Sequence, residues 1–286
     1  MWQLLVVVVM TLAYFGAQEV VSRSRLPVLW TLFLLVPFAL TPYWLNTNSF
    51  DLFVWIKIYS VMFCVSWAGW LRFTTMGDRP WLRRTIAWLL VANIVEALVL
   101  DIQATGTAHH FNALAGILLI VTLPLSVRHT RIDRVSRHRT LRYDVPLAWI
   151  CGYTFWNWTF VYLNYPAYMG HHTAILSAAL VVALFDPQCW LQARAATLGL
   201  NLLWMATSNT GLLAVSNTTV WFNESIATVT ASFSLAWMAV HAASSLKTRL
   251  ASERTLEISQ IVREHIALAK SEWQDTDSAV VSWCVR

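Results

Sequence analysis

Apolar runs of roughly 20 residues, separated by short polar or charged segments, recur from one end of the chain to the other, and each is long enough to cross a ~30 Å hydrocarbon core. They fall at about 2–21, 27–45, 52–72, 85–104, 109–127, 145–165, 172–185, 189–208 and 225–246. The seventh is short and would need its flanks, a tilt or a re-entrant path. The pattern predicts an all-α, polytopic membrane helix bundle over 1–246 with about nine transmembrane helices. After it, Ile258, Ile261, Val262, His265, Ile266 and Leu268 recur at helical spacing, which predicts an amphipathic tail helix over 247–286. That helix would lie on the membrane surface, pair with a second copy as a homo-oligomer, or pack under the bundle.

The connecting segments alternate in charge. One set carries Arg23 and Arg25, then Arg72, Arg79, Arg83 and Arg84, then Arg128, Arg131, Arg134, Arg137, Arg139 and Arg142, then Lys247 and Arg249. The other set, 46–51, 105–108, 166–171 and 209–224, has no Lys or Arg. Positive residues stay on the cytoplasmic side, so the N-terminus is expected outside and the C-terminus in the cytoplasm. The first apolar run begins at Met1 without a basic leader, so no cleavable signal peptide is expected.

Composition agrees with this reading. The chain is 57% hydrophobic and only 12% charged, about half the charge of a soluble domain. The net charge of +5 sits between apolar runs, where it sorts topology, so nucleic acid is not an expected partner; the lipid bilayer is. Several of the 17 Trp stand near segment ends, where indole rings favour the interface. Cys64, Cys151, Cys189 and Cys284 form no CxxC pair, which argues against disulfides and thiolate metal sites.

Ionisable groups inside apolar runs cost about 2.5–3.5 kcal/mol each at mid-helix, so they mark function or a buried pair. Lys57 lies ~8 Å inside the outer end of the third run and Glu96 ~12 Å inside that of the fourth, at 1.5 Å per residue. A Lys side chain spans that difference if the two helices pack; otherwise it snorkels outward. At 100° per residue Asn93, Glu96 and Gln103 share one arc of the fourth helix and Asp101 stands to its other side. Two carboxylates and two amides on one helix exceed what helix–helix adhesion uses and predict a polar cavity. The sixth run adds Tyr153, Trp156, Asn157, Trp158, Tyr162 and Asn164. At the inner face Glu19 and Arg194 have matching depths, as an ion pair or as a snorkelling Arg.

Histidine pairs stand at 109–110 and 171–172. His110 and His172 are candidate metal ligands with the acids, but adjacent residues on a helix point about 100° apart, and no HExxH occurs; interfacial histidines in water are the simpler reading. Three stretches share a rhythm: Asn93, Asp101, His109-His110; Asn157, Asn164, His171-His172; and Asn201, Asn209, Asn217. Either a hairpin has been duplicated or low-complexity helices coincide.

The segments Gln-Glu-Val-Val-Ser-Arg (18–23), Trp-Ile-Lys-Ile-Tyr-Ser (55–60), Asn-Ile-Val-Glu-Ala with Asp-Ile-Gln (93–97, 101–103), Phe-Asn-Ala-Leu-Ala-Gly-Ile-Leu (111–118), Trp-Asn-Trp-Thr-Phe-Val-Tyr (156–162) and Trp-Leu-Gln-Ala-Arg (190–194) resemble an uncharacterised family of bacterial integral membrane proteins, a domain of unknown function. The resemblance covers roughly 10–245 and leaves out the first His of each pair, the basic loop and the tail. It implies a multi-pass protein of the bacterial cytoplasmic membrane. It also implies that Glu19, Lys57, Asn93, Glu96, Asp101, Gln103, Asn112, Asn157 and Arg194 are motif positions. No activity or cofactor comes with it.

Three functions remain open. A transporter or channel for a small polar or ionic solute would use Lys57, Asn93, Glu96, Asp101, Gln103, Asn112, Asn157 and Asn164 as the binding group. A membrane-embedded, metal-dependent enzyme on a lipid-like substrate would use Glu96, Asp101, His110 and His172. A ligand sensor would couple an outer pocket to the basic loop and tail.

Overall fold

The computed structural model describes residues 2–208 and 217–248. The helices are Trp2–Arg23 (α1), Leu26–Thr47 (α2), Leu52–Phe73 (α3), Pro80–Gln103 (α4), Thr107–Thr122 (α5), Leu147–Asn164 (α6), Pro166–Phe185 (α7), Trp190–Thr207 (α8) and Glu224–Thr248 (α9). Among the described residues six of them, α1, α2, α3, α4, α7 and α9, are long and apolar enough to cross a membrane. The protein is therefore an α-helical bundle of membrane-protein character. The short seventh apolar run is completed by its N-terminal flank, which brings α7 to 20 residues. The predicted tail helix lies outside the described residues.

The chain divides into two units, Met1–Ala239 and Val240–Arg286. In the first, α3, α4, α5, α6, α7 and α8 touch in succession, and α8 returns to α3. α1 lies against α7 and α8, and α2 against α3. Near the start of α6 the carbonyl of Ala148 accepts from Trp237 Nε1 of α9, at 2.9 Å. In the second unit, the described residues 240–248 are helical, and the Ser244 hydroxyl donates to the His241 carbonyl at 2.8 Å.

Local sequence sets the helix ends. Asp51 caps α3 by accepting from the Val54 amide at 2.8 Å, and Asn223 caps α9 through the Ile226 amide at 3.1 Å, each meeting one of the donors a helix start leaves unpaired. Leu4, Leu5, Val8, Val9, Leu12 and Val20 of α1 are exposed. An apolar stripe of that length facing outward suits lipid. Inside, Trp44, Trp149, Trp156 and Trp190 are fully buried. Trp156 fits a notch left by Gly116 of α5, where a Cβ would sit 2.9 Å from its Nε1. From there Nε1 donates to the Asn112 carbonyl at 3.0 Å.

Two departures from regular helix were not visible in the sequence pattern. α2 contains a π-turn at Thr31–Leu35, whose Phe33 is fully buried and packs at Gly199 of α8. The basic loop between α5 and α6 folds into a two-stranded antiparallel ribbon, Thr130–Ile132 (β1) with Leu141–Tyr143 (β2). Arg72, at the end of α3, clamps this ribbon by donating from Nε to the Arg139 carbonyl (3.0 Å) and from Nη2 to the His138 carbonyl (2.7 Å). The carbonyl of Arg72 in turn accepts from Arg134 Nη1 at 3.0 Å.

Candidate functional site

Inside the α3–α8 ring, polar side chains from five helices join in one network. Lys57 of α3 places Nζ 2.7 Å from Glu96 Oε2 and 2.9 Å from Asn93 Oδ1, both on α4. The ammonium also stands 5.6 Å from the centre of the Phe53 ring. The Ser60 hydroxyl adds a longer bond to the same Glu96 oxygen, 3.4 Å. Asn93 Nδ2 donates to the Tyr153 hydroxyl of α6 at 3.5 Å, and Asn157 Nδ2 donates to it at 3.2 Å. The Asn157 carbonyl then accepts twice, from His172 Nε2 of α7 and from Arg194 Nη2 of α8, the latter at 3.4 Å. An amide oxygen is an acceptor only, so Nε2 of His172 carries the proton in this bond.

Arg194 is the least satisfied member. It is 97% buried, at 3% exposure, yet its Nε and Nη1 have no hydrogen-bond partner among the described residues. Its side chain is also without an ion pair to any described carboxylate.

Two cavities meet at this layer. The first, about 140 Å³, reaches from Phe50, Tyr165 and Tyr168 at the ends of α3, α6 and α7 down to Asn93 and Arg194. The second, about 90 Å³, reaches from Asn93 and Arg194 to Arg72 and Leu141 at the opposite end. Asn93, Arg194 and Leu198 line both.

A separate cluster holds Asp101, which is fully buried. Its Oδ1 accepts from His109 Nδ1 and Asn164 Nδ2, both at 2.9 Å, and its Oδ2 from Asn112 Nδ2 at 2.7 Å. Those bonds tie α4, α5 and α6 together.

The residues proposed from sequence as one binding group thus divide. Lys57, Asn93, Glu96 and Asn157 share the central layer, whereas Asp101, Asn112 and Asn164 form the second cluster. Gln103 is exposed in the last turn of α4 and joins neither. Glu19 and Arg194 do not meet. Glu19 is caught by Arg23 one turn along its own helix, with Oε1 2.5 Å from Nη2, and the Arg194 side chain runs inward to Asn157. The proposed acid–histidine set is not assembled either. His110 is exposed, and it is His109 that reaches Asp101. His172 bonds Asn157 instead. Among the described residues no group of three or more His, Cys, Asp or Glu is placed to hold a metal.

Sequence reasoning missed His109 and the true place of Arg194. The signal for the second was present: Arg194 is the one basic residue inside the eighth apolar run, and the cost argument applied to Lys57 applies equally to it.

No curated protein and no solved structure matches the chain. A family model described as a family of unknown function, DUF5692, matches residues 1–255, and the chain belongs to that family.

Proposed function

We propose that the protein is a transporter that moves a small polar or ionic solute across a membrane, with the layer of Lys57, Glu96, Asn93, Asn157 and Arg194 as the barrier and binding point between two half-pathways. The observation that supports it is the pair of cavities that approach this layer from opposite ends and share Asn93, Arg194 and Leu198. Solute pathways place polar, cavity-lining groups near the midplane in this way. A single pocket would serve an enzyme or a sensor; a second cavity on the far side of the same side chains has a use in passage.

In this reading all nine helices cross, the bundle takes in 1–246, the N-terminus is outside and the C-terminal segment is cytoplasmic. The alternation of basic and uncharged connections supports that orientation. The membrane is the bacterial cytoplasmic membrane, as the resemblance implies.

Two single cysteines test passage without any ligand. In protein lacking its native cysteines, Met205→Cys reports on the first cavity and Ala68→Cys on the second. A membrane-impermeant thiol reagent is expected to reach Met205→Cys from outside and Ala68→Cys from inside, in oriented vesicles. If neither cavity, or only one, is reached by water-borne reagent, there is no two-sided pathway and the transport reading fails.

A further inference from the structure

The transport reading names a layer but no solute; the layer's charge and the shape of the first cavity go further. Lys57 and Glu96 neutralise each other at 2.7 Å, which leaves the guanidinium of Arg194 as the uncompensated charge of the network. A buried cation keeps its place only when paired or fully hydrogen-bonded. Arg194 has a single bond, 3.4 Å to Asn157, and its Nε–H and Nη1–H groups lack a described partner. Planar N–H donors in that arrangement match a carboxylate. One negative charge would bring the layer to neutrality; a dianion would overshoot it.

Above this floor the walls are apolar. Phe53, Ile58, Phe160, Val161 and Leu198 line the first cavity beside Arg194. Its volume, about 140 Å³, is close to the ~150 Å³ that accommodates a benzene ring. Sugars, amino-acid zwitterions and metal cations fit this combination poorly, because each would leave polar groups against Phe and Leu or a positive charge beside Arg194.

We propose that the first cavity is a binding site for a small organic acid with an apolar body of about six carbons, its carboxylate held by Arg194 and its body between Phe53 and Phe160. The proposal rests on the transport reading for its biological use but not for its chemistry.

The test is binding to the purified full chain in detergent, by calorimetry, using benzoate, cyclohexanecarboxylate and 3-methylbutanoate, each against its own amide. At least one acid is expected to bind saturably and at least tenfold more tightly than its amide. Arg194→Met is expected to remove that preference. Leu198→Trp, which fills the cavity and leaves Arg194 in place, is expected to weaken the acid at least tenfold and serves if Arg194→Met does not fold. The proposal is overturned if none of the three acids binds better than its amide, or if both variants that fold bind as the parent does. Binding without two-sided cysteine access would keep the acid site and remove transport; two-sided access without acid binding would do the reverse.

Discussion

Lys57 and Glu96 sit on adjacent antiparallel helices, α3 and α4, with Nζ 2.7 Å from Oε2, and the same ammonium is bonded to Asn93 one turn away on α4. The pair is mostly shielded, with side-chain exposures of 14% and 21%. Its partners are fixed, since Asp101, the other acid on α4, has both oxygens taken by His109, Asn112 and Asn164.

Breaking such a pair from one side leaves a charge that has lost its partner, at a cost of about 3 kcal/mol or more. Glu96→Gln is therefore expected to lower the melting temperature of the detergent-purified protein, because Lys57 has no second acid to turn to. Lys57→Met is expected to do the same. The double variant should recover most of the loss, since coupled neighbours are non-additive. Additive losses in the three melting curves would show that the two charges act independently.

Asp101 gathers three donors, so Asp101→Asn replaces an acceptor with a group that brings its own N–H bonds among them. A buried donor left unpaired costs about 1–3 kcal/mol, and at least one of Asn112 and Asn164 should be orphaned. The expected outcome is a marked loss of thermal stability while Met205→Cys labelling keeps its rate. Unchanged melting would remove the cluster's structural role; altered labelling with unchanged melting would make it part of the pathway.

Cys189 lies in the turn between α7 and α8. Burial, with the Asp186 carboxylate 3.3 Å from its Sγ as the lesser cause, pushes its thiol up to about 12 from the usual 9. The thiolate is the reactive form, so alkylation at pH 7.5 by iodoacetamide should run more than about tenfold slower than for a free thiol. Asp186→Asn should speed it. The raised folded-state value also fixes the sign of the stability effect. The unfolded thiol ionises first as pH rises through 9, so this group's contribution is fully present below pH 9 and is lost as pH climbs towards 12. Mass-spectrometric alkylation rates in a protein whose other cysteines are Ala check the first point, and melting at pH 8 and pH 10 checks the second.

Arg72 is bonded to the carbonyls of His138 and Arg139, and removing it should release the β1–β2 ribbon. Arg72→Met is expected to bring faster tryptic cleavage between Arg128 and Arg142. Arg72→Lys should not restore protection, because an ammonium lacks the fork that reaches both carbonyls. Equal cleavage in all three proteins would show that the ribbon holds without the clamp.

What could be read from sequence followed from energetic cost. Lys57 and Glu96 stand out because charges in apolar runs need partners and a short loop joins their helices. The helix positions follow from the lengths of the apolar runs, and the uncertain seventh is settled by residues 166–171, which are polar enough to mask a continuous helix. Angular position on α4 separates Asp101 from Glu96 but does not say which neighbour each will face; that depends on α5 and α6, whose His109, Asn112 and Asn164 come from elsewhere in the chain. Gln103 shares the Glu96 arc but lies two turns on, where the helix ends in a polar loop. Equal depth suggested Glu19 for Arg194, but depth ignores the partner at hand, and an i, i+4 Arg is always within reach.

The π-turn in α2 makes that helix sensitive to length in a way its neighbours are not. A π-turn holds one residue more than the α-helical turn it replaces, so it behaves as an insertion the fold has absorbed. Deleting one residue within Thr31–Leu35 would yield a more regular helix, but everything beyond it would rotate by about 100°. Trp44, fully buried and bonded through Nε1 to Thr207 Oγ1 at 3.3 Å, would swing off α8, while Phe33 would lose its seat at Gly199. Along most of a lipid-facing helix, substitution is the freer kind of change. In α2 the number of residues, more than their identity, is what the rest of the bundle has been built around.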